Sequence, residues 1–309
     1  MRDPCRPTLH IYCDGGRAQG YGHIRRSLTL SHRLKQDGFV VSVIGLSAEA
    51  KKMLPDAVYQ NETPQVVVLD CPPGQGIDVM KRANQESSLT VGLDWFGREA
   101  LPMINISIFP HYPVLSLKKT YIGFKYILIR PEIRKAKHRY LTSDGEYVFV
   151  SLGGGDLLNQ GGSVANTLAS LGYSVLLING PLHDDSEEET DNLKVRIVKN
   201  PLNFSELMAQ SKFVVANGGG CLFEALYLGK PVFALPQTPF ERKVIEYILS
   251  LGGVLSGGIE DLRNFSDYEM VNVCAVGEKI IDGNGDRRIS TIIQRELGMN
   301  ANYINRDWL

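Results

Sequence analysis

The chain has 309 residues, of which 43% are hydrophobic and 22% charged, with a formal net charge of -1. That length suffices for two domains of ~150 residues. The composition is ordinary for a water-soluble globular protein, and the near-neutral charge excludes the basic footprint of a nucleic-acid-binding protein. No apolar run approaches the ~20 residues of a membrane span. The five cysteines, Cys5, Cys13, Cys71, Cys221 and Cys274, are scattered, odd in number and without a Cys-x-x-Cys pair, which argues for a reducing compartment and against a zinc site.

In chain order, the polar Met1 to Pro7 runs straight into a strand with no signal segment, so a cytoplasmic enzyme or binding protein is expected. Thr8 to Cys13 is that strand, with Leu9, Ile11 and Tyr12 supplying apolar bulk. It leads into Asp14-Gly15-Gly16-Arg17-Ala18-Gln19-Gly20-Tyr21-Gly22-His23-Ile24-Arg25-Arg26. Ile24, Leu28, Ser31 and Leu34 then recur at helical spacing until Gly38 ends the pattern. A strand, a glycine loop and a helix let backbone approach a ligand closely, or simply make a tight turn. His23 favours the ligand, because at the helix entrance beside Arg25 and Arg26 it is placed to exchange a proton.

The first half goes on alternating. Val40 to Leu46 is a strand, Ala48 to Leu54 a short helix, and Gln65 to Asp70 an apolar strand ending in an acid. Ile77 to Asn84 is helical, Leu89 to Leu93 a strand followed by Asp94, and Ile104 to Phe109 another strand. Continuous apolar strands between helices imply a parallel sheet covered on both faces, with ligands at the carboxyl ends of the strands. After Pro131 the basic stretch Arg134 to Tyr140 reads as a solvated connector, and Thr142-Ser143-Asp144-Gly145 as a turn. The expected division is therefore 1–140, an N-terminal Rossmann-like domain on the acceptor and catalytic side, and 141–309, a C-terminal Rossmann-like domain that binds a nucleotide-sugar.

In the second half, strands Tyr147 to Ser151, Ser174 to Ile178, Val195 to Val198, Phe213 to Ala216 and Pro231 to Leu235 alternate with helices. These start near Gly162, Phe204, Cys221, Glu241 and Tyr268. Asp184 to Asp191 is an acidic run expected to be exposed. Asp282-Gly283-Asn284-Gly285-Asp286 begins like a calcium loop, but Arg287 and Ile293 stand where the glycine and terminal glutamate are required.

Two glycine triplets, Gly153-Gly154-Gly155 and Gly218-Gly219-Gly220, each follow a strand and precede a helix. Such helix starts present free N–H groups and a positive dipole end to a phosphate. Neither triplet is a Walker motif or a clean dinucleotide fingerprint, but two in one domain, facing a third glycine loop in the other, point to a nucleotide diphosphate in a cleft. Glu224 has two readings: a first-turn acid complementing the helix dipole, or a carboxylate accepting both ribose hydroxyls. Of the other histidines, His10 lies in a strand, His32 on a helix, His138 and His183 in polar connectors, and His111 is a candidate cleft residue. There is no Gly-x-Ser-x-Gly elbow and no His-Glu-x-x-His.

Gly20-Tyr21-Gly22-His23-Ile24-Arg25-Arg26-Ser27-Leu28 resembles the Gly-x-Gly-His-x-x-Arg signature of the pseudaminic-acid-pathway UDP-sugar hydrolases and the related spore-coat polysaccharide proteins, with Arg26 on the signature's arginine. Tyr126 to Glu132 resembles their Tyr-Ala-Leu-Leu-Arg-Pro-Glu segment, and Leu152 to Asp156 their Phe-Gly-Gly-Ser-Asp. Asn217 to Glu224 with Gly229-Lys230-Pro231 resembles their Glu-bearing nucleotide motif, and Ile281 to Arg288 their late Asp-Gly-x-Gly-x-x-Arg. The segments keep one order and span most of the chain.

The resemblance implies two Rossmann-like domains facing across a cleft, as in GT-B glycosyltransferases, with UDP held mainly by the second. It implies metal-independent attack at the sugar's anomeric carbon, with no cofactor, His23 as the catalytic residue and Glu224 on the ribose. Gly20, Tyr21, Gly22, Arg26, Asp94 and Glu241 would lie on the sugar and acceptor side. Three departures stand out. Asp70 leads into Cys71-Pro72-Pro73 where the hydrolases carry a His or Ser and then a Tyr. Pro239-Phe240-Glu241 replaces an Asn-Gln pair, and the acid pair expected after the fourth strand is Asp94-Trp95. The expectation is a hydrolase acting on a nucleotide-activated amino or deoxy sugar in surface-polysaccharide or nonulosonic-acid synthesis. The alternatives are a glycosyltransferase using a sugar acceptor and a nucleotide-sugar binder without turnover.

Overall fold

The computed structural model describes residues 6–17, 20–54, 63–109, 119–140, 145–183, 192–264, 272–273, 276–277 and 279–299. His111, the acidic run 184–191 and most of the helix expected from Tyr268 lie outside the described residues. Among the described residues no helix is long and apolar enough to cross a membrane. The chain divides into two compact units, residues 1–128 with 283–309, and residues 129–282.

The first unit carries a six-stranded sheet in the order β2-β1-β3-β4-β5-β6. Its strands are β1 (Thr8–Cys13), β2 (Val40–Gly45), β3 (Val66–Asp70), β4 (Leu89–Leu93), β5 (Ile104–Ser107) and β6 (Thr120–Ile122), and every pairing is parallel. All residues of β3, β4 and β5 are buried, as the continuous apolar runs require of a sheet covered on both faces. Helices α1 (Gly22–Gln36), α2 (Ala48–Met53) and α3 (Ile77–Glu86) make the crossovers. Helix α1 buries Ile24, Ser27, Leu30, Ser31 and Leu34 along one stripe, and Gly38, at φ +91°, ends it in the left-handed conformation that glycine adopts without a Cβ penalty. Helix α2 is capped by the Ser47 side chain, which accepts from the Ala50 N–H.

The second unit repeats the plan, with strand order β12-β11-β10-β7-β8-β9. Its strands are β7 (Val148–Ser151), β8 (Val175–Asn179), β9 (Val195–Lys199), β10 (Phe213–Ala216), β11 (Val232–Ala234) and β12 (Leu255–Ser256), again all parallel. On one face Val148, Val150, Val164, Leu168, Phe213 and Phe233 share a buried cluster. The helices are α4 (Pro131–Arg139), α5 (Gly161–Ser170), α6 (Phe204–Ala209), α7 (Gly220–Tyr227) and α8 (Pro239–Ser250).

Two expectations are corrected. The basic stretch after Pro131 is not a solvated connector but α4: Pro131 occupies its first turn, and Ile133 and Ala136 are buried and the helix packs on α6. The boundary therefore falls at residue 129 rather than 141. Nor does the second unit run to the end of the chain. After Gly283 (φ +75°), helix α9 (Gly285–Glu296) joins the first unit, where it packs against α1 and the short 3-10 turn Phe124–Tyr126. Its Ile289, Ile292 and Ile293 are buried, and its Ser290 hydroxyl donates to Asp37 Oδ2 at 2.5 Å. Gly285 has no room for a side chain, since a Cβ there would lie 2.2 Å from the Ile127 carbonyl oxygen.

If α9 completes the core of the first unit, Ile292→Ala, at a fully buried position, should lower stability by about 2–5 kcal/mol. Urea unfolding of the full chain checks this, and a change under ~0.5 kcal/mol, the scale of a surface substitution, would show that α9 lies outside that core.

Candidate functional site

In each unit the strand order reverses beside a glycine loop, the position at which open α/β sheets bind ligands. In the first unit the reversal falls between β1 and β3, where Cys13 is in register with Asp70. The loop leaving β1 is built by Asp14, whose Oδ1 accepts from the Gly15 N–H at 2.9 Å and from the Ser47 hydroxyl at 2.6 Å. Gly16 and Gly20 exchange backbone hydrogen bonds of 3.1 and 2.8 Å and pinch the loop shut; Ala18 and Gln19 lie outside the described residues. A Cβ on Gly15 would sit 2.9 Å from the Gly20 carbonyl oxygen, so glycine is needed there for the close approach. Gly20 has φ +76°, Tyr21 is the N-cap of α1 without a side-chain cap, and Gly22 opens the helix.

The first turn of α1 brings His23 and Arg26 over the ends of β3 and β4. His23 Nδ1 lies 2.6 Å from Asp70 Oδ1. Arg26 grips Asp70 with two nitrogens, Nε to Oδ2 at 2.8 Å and Nη2 to Oδ1, and reaches Asp94 Oδ2 with Nη1 at 2.6 Å. Asp70 is fully buried, and Arg26 and Asp94 are 15% and 5% exposed. Asp94, at φ +50°, is anchored through Oδ1, which accepts from the Ile108 N–H at 2.9 Å and the Ser107 hydroxyl at 3.2 Å.

Burial pushes the Asp70 carboxyl up, but the Arg26 guanidinium and then His23 outweigh it and hold the carboxyl at about 2. Because Asp70 is ionised, the short contact requires a proton on His23 Nδ1. In the neutral ring Nε2 is then the free acceptor, on a side chain 26% exposed. Cys71 and Cys13 beside this group are thiols, not thiolates: burial first, then Asp70, raises both, Cys13 to about 12.

The sequence singled out His23, Arg26 and Asp94, and the fold brings them together. It placed Asp70 with Asp94 at a strand end where ligands bind but gave it no role, and both His23 and Arg26 are tied to it. The signal was present, as an acid closing an apolar strand. Cys71-Pro72-Pro73, at one of the departures from the resemblance, lines a small hollow with Asp94, Trp95 and Phe96.

In the second unit the order reverses between β7 and β10, with Ser151 in register with Ala216, so the two triplets leave the sheet side by side. Gly153, at φ +91°, would place a Cβ 2.9 Å from Asn217 Nδ2, and one on Gly218 would meet Glu241 Cβ at 2.7 Å. Gly219 is the N-cap of α7, without a side-chain cap, and Gly220 its exposed first residue. The first turn of α7 holds no acid; Glu224 sits deeper in the helix than expected, is buried and is held by Arg130.

Glu241, expected on the sugar and acceptor side, belongs to the second unit at the start of α8. Its Oε1 accepts from Asn217 Nδ2 at 2.7 Å and its Oε2 from the Gln237 N–H at 2.8 Å, and burial raises its carboxyl despite these donors. Gln237 Oε1 in turn accepts from the Leu158 N–H at 2.9 Å, and Asp156 Oδ2 from Gly161. Among the described residues Asn217 Oδ1, Gln237 Nε2 and Asp156 Oδ1 are buried with no hydrogen-bond partner, and such atoms are met by a ligand or an ordered water. The edge thus sets a helix start without a side-chain cap beside buried side-chain donors and acceptors.

Asp70 contributes stability that is complete above the unfolded carboxyl value near 4 and is lost as pH falls toward the folded value of about 2. Asp70→Asn should remove this acid dependence. At neutral pH it should cost about 3 kcal/mol, the lower end for breaking a buried pair, because Asp94 still faces Arg26. Urea unfolding of both proteins from pH 2 to 7 checks this; equal stability at pH 7 would count against it.

No family model matches the chain. The chain is 25% identical over 282 residues to the uncharacterized protein MJ1062 of Methanocaldococcus jannaschii, covering 76% of this chain and 57% of that protein. It is 20% identical over 329 residues to the spore coat polysaccharide biosynthesis protein SpsG of Bacillus subtilis, covering 92% of this chain and 97% of SpsG. The chain therefore spans little more than half the length of the archaeal relative.

Among solved structures, it is similar to the calicheamicin glycosyltransferase CalG4, with TM-score 0.61 and 13% identity over 97% of this chain and 100% of that one. It is also similar to the UDP-GlcNAc 2-epimerase of Neisseria meningitidis bound to UDP-GlcNAc, with TM-score 0.62 and 11% identity over 93% and 100%. At these identities the likeness is one of fold, and the two expected Rossmann-like domains, each a parallel sheet between helices, are present.

Proposed function

We propose that the chain is an enzyme that takes a UDP-sugar and breaks the bond between the sugar's anomeric carbon and the diphosphate oxygen, with water as the acceptor. The single observation that carries this reading is His23. Its Nδ1 is committed to Asp70 at 2.6 Å, so the neutral ring has one free basic nitrogen, at the carboxyl edge of the first sheet. His23 Nε2 takes a proton from water as the water oxygen bonds to the anomeric carbon. The carbon–oxygen bond breaks with its electron pair going to the diphosphate, and the products are the free sugar and UDP. The uncapped start of α7 binds the diphosphate and stabilises the charge that develops there, while Glu224 accepts the ribose hydroxyls. No metal or cofactor is required by this route.

SpsG, a spore coat polysaccharide biosynthesis protein, and a fold shared with an epimerase bound to UDP-GlcNAc support a nucleotide-sugar as substrate. The likeness to a glycosyltransferase favours a second reading, in which a sugar hydroxyl replaces water and His23 takes its proton.

Incubating the full chain with a panel of UDP-sugars in ¹⁸O-water distinguishes the two. Hydrolysis releases UDP without a saccharide acceptor and leaves ¹⁸O on the sugar, whereas transfer releases UDP only when an acceptor is added. In either case His23→Ala should lower kcat by ~10²- to 10⁴-fold, the range for loss of a general base. Tight UDP-sugar binding with no UDP release under any condition would overturn the proposal in favour of a binding protein.

A further inference from the structure

Arg130 has no part in the chemistry above, yet it is held on several sides. It precedes α4, where its carbonyl oxygen accepts from the Ile133 and Arg134 N–H groups at 3.1 and 3.2 Å and Pro131 fixes the turn. Its guanidinium lies 4.9 Å over the ring of Phe204, the first residue of α6, and that ring stands edge-on to the buried Phe149 at 5.2 Å. Both ends of the planar fork go to one carboxylate, Nε to Glu224 Oε1 at 2.5 Å and Nη2 to Oε2 at 2.6 Å. The two side chains are 16% and 8% exposed.

The N-cap of α4, backed by the first residue of α6, thus holds the α7 carboxylate and fixes its plane. The fork takes one lone pair from each oxygen, and a carboxylate has about four, so one on each oxygen is left for a pair of donors. Glu224 also lies about one helical turn, ~6 Å, beyond Gly220 at the uncapped start of α7. That spacing suits a ligand with an anion at one end and a vicinal diol at the other.

We infer that Arg130 is a positioning residue that orients Glu224 toward the two ribose hydroxyls and so sets a preference for ribonucleotides over deoxyribonucleotides. This rests on the reading above in which Glu224 holds the ribose. The test is calorimetric binding of UDP, 2′-deoxy-UDP and 3′-deoxy-UDP to the full chain, as wild type, Arg130→Lys, Arg130→Gln and Glu224→Gln, with thermal melting to verify folding.

Wild type should prefer UDP over either deoxy analogue by roughly tenfold or more, the strength of a hydrogen bond to a charged acceptor. Glu224→Gln and both Arg130 variants should bring that ratio toward one, mainly by weakening UDP. Arg130→Lys keeps the charge but cannot make the planar fork, so it carries the test even if Arg130→Gln does not fold. A ratio unchanged in the Arg130 variants but lost in Glu224→Gln overturns the positioning role and leaves the ribose reading intact. A ratio unchanged in Glu224→Gln, or absent in wild type, overturns the ribose reading and the inference with it. If Arg130→Lys weakens all three nucleotides equally, the pair is only structural and the inference fails.

Discussion

One guanidinium shared between two buried carboxylates is the interaction on which the carboxyl edge of the first unit depends. Asp70 ends a strand buried along its whole length, where an isolated carboxylate would take up a proton or drive the strand apart. Arg26 prevents both by offering a fork to Asp70 and its remaining nitrogen to Asp94. The ends of β3 and β4 and the first turn of α1 are thereby locked to one another, and every one of these groups is at least four-fifths buried. The imidazole of His23 is held by a carboxylate whose own position is already determined. An imidazole held in this way is already ordered before any ligand arrives, which is the physical content of preorganisation.

Each unit is a six-stranded parallel sheet with one reversal of strand order, but the two put different chemistry at that reversal. At its reversal point the first unit offers side chains: an imidazole, a guanidinium and two carboxylates. The second offers main chain, in two triplets whose glycines lie so close to Asn217 and Glu241 that side chains at Gly153 and Gly218 would collide with them. Glu241 connects this framework, tying Asn217 to the segment that opens α8. Its place is therefore built into the hydrogen bonding of the loop itself.

Much of this was legible in the sequence because burial on both sheet faces demands uninterrupted apolar runs. Thr8–Cys13, Leu89–Leu93 and Phe213–Ala216 were read with the bounds observed. His23 and Arg26 were legible because they follow a glycine loop at the spacing of one helical turn. What escaped was decided by tertiary contacts. Helix α4 looks like a charged connector because only Ile133 and Ala136 of its nine residues face inward. Helix α9 was obscured by an aspartate- and glycine-rich start. The partners of His23 and Glu224, Asp70 and Arg130, lie 47 and 94 residues away in sequence, and no local pattern links groups so far apart.

The return of α9 to the first unit has a consequence for how the chain is made. Synthesis proceeds from the N-terminus, and domains usually fold in that order as they emerge. Here the opening sheet is finished long before the helix that packs on α1, because residues 129–282 are translated in between. The nascent first unit therefore waits with the groove for Ile289, Ile292 and Ile293 uncovered, while the second unit, which is continuous in sequence, can complete itself. The later unit in the sequence is thus the earlier one able to reach its final form, and the first closes only when α9 leaves the ribosome.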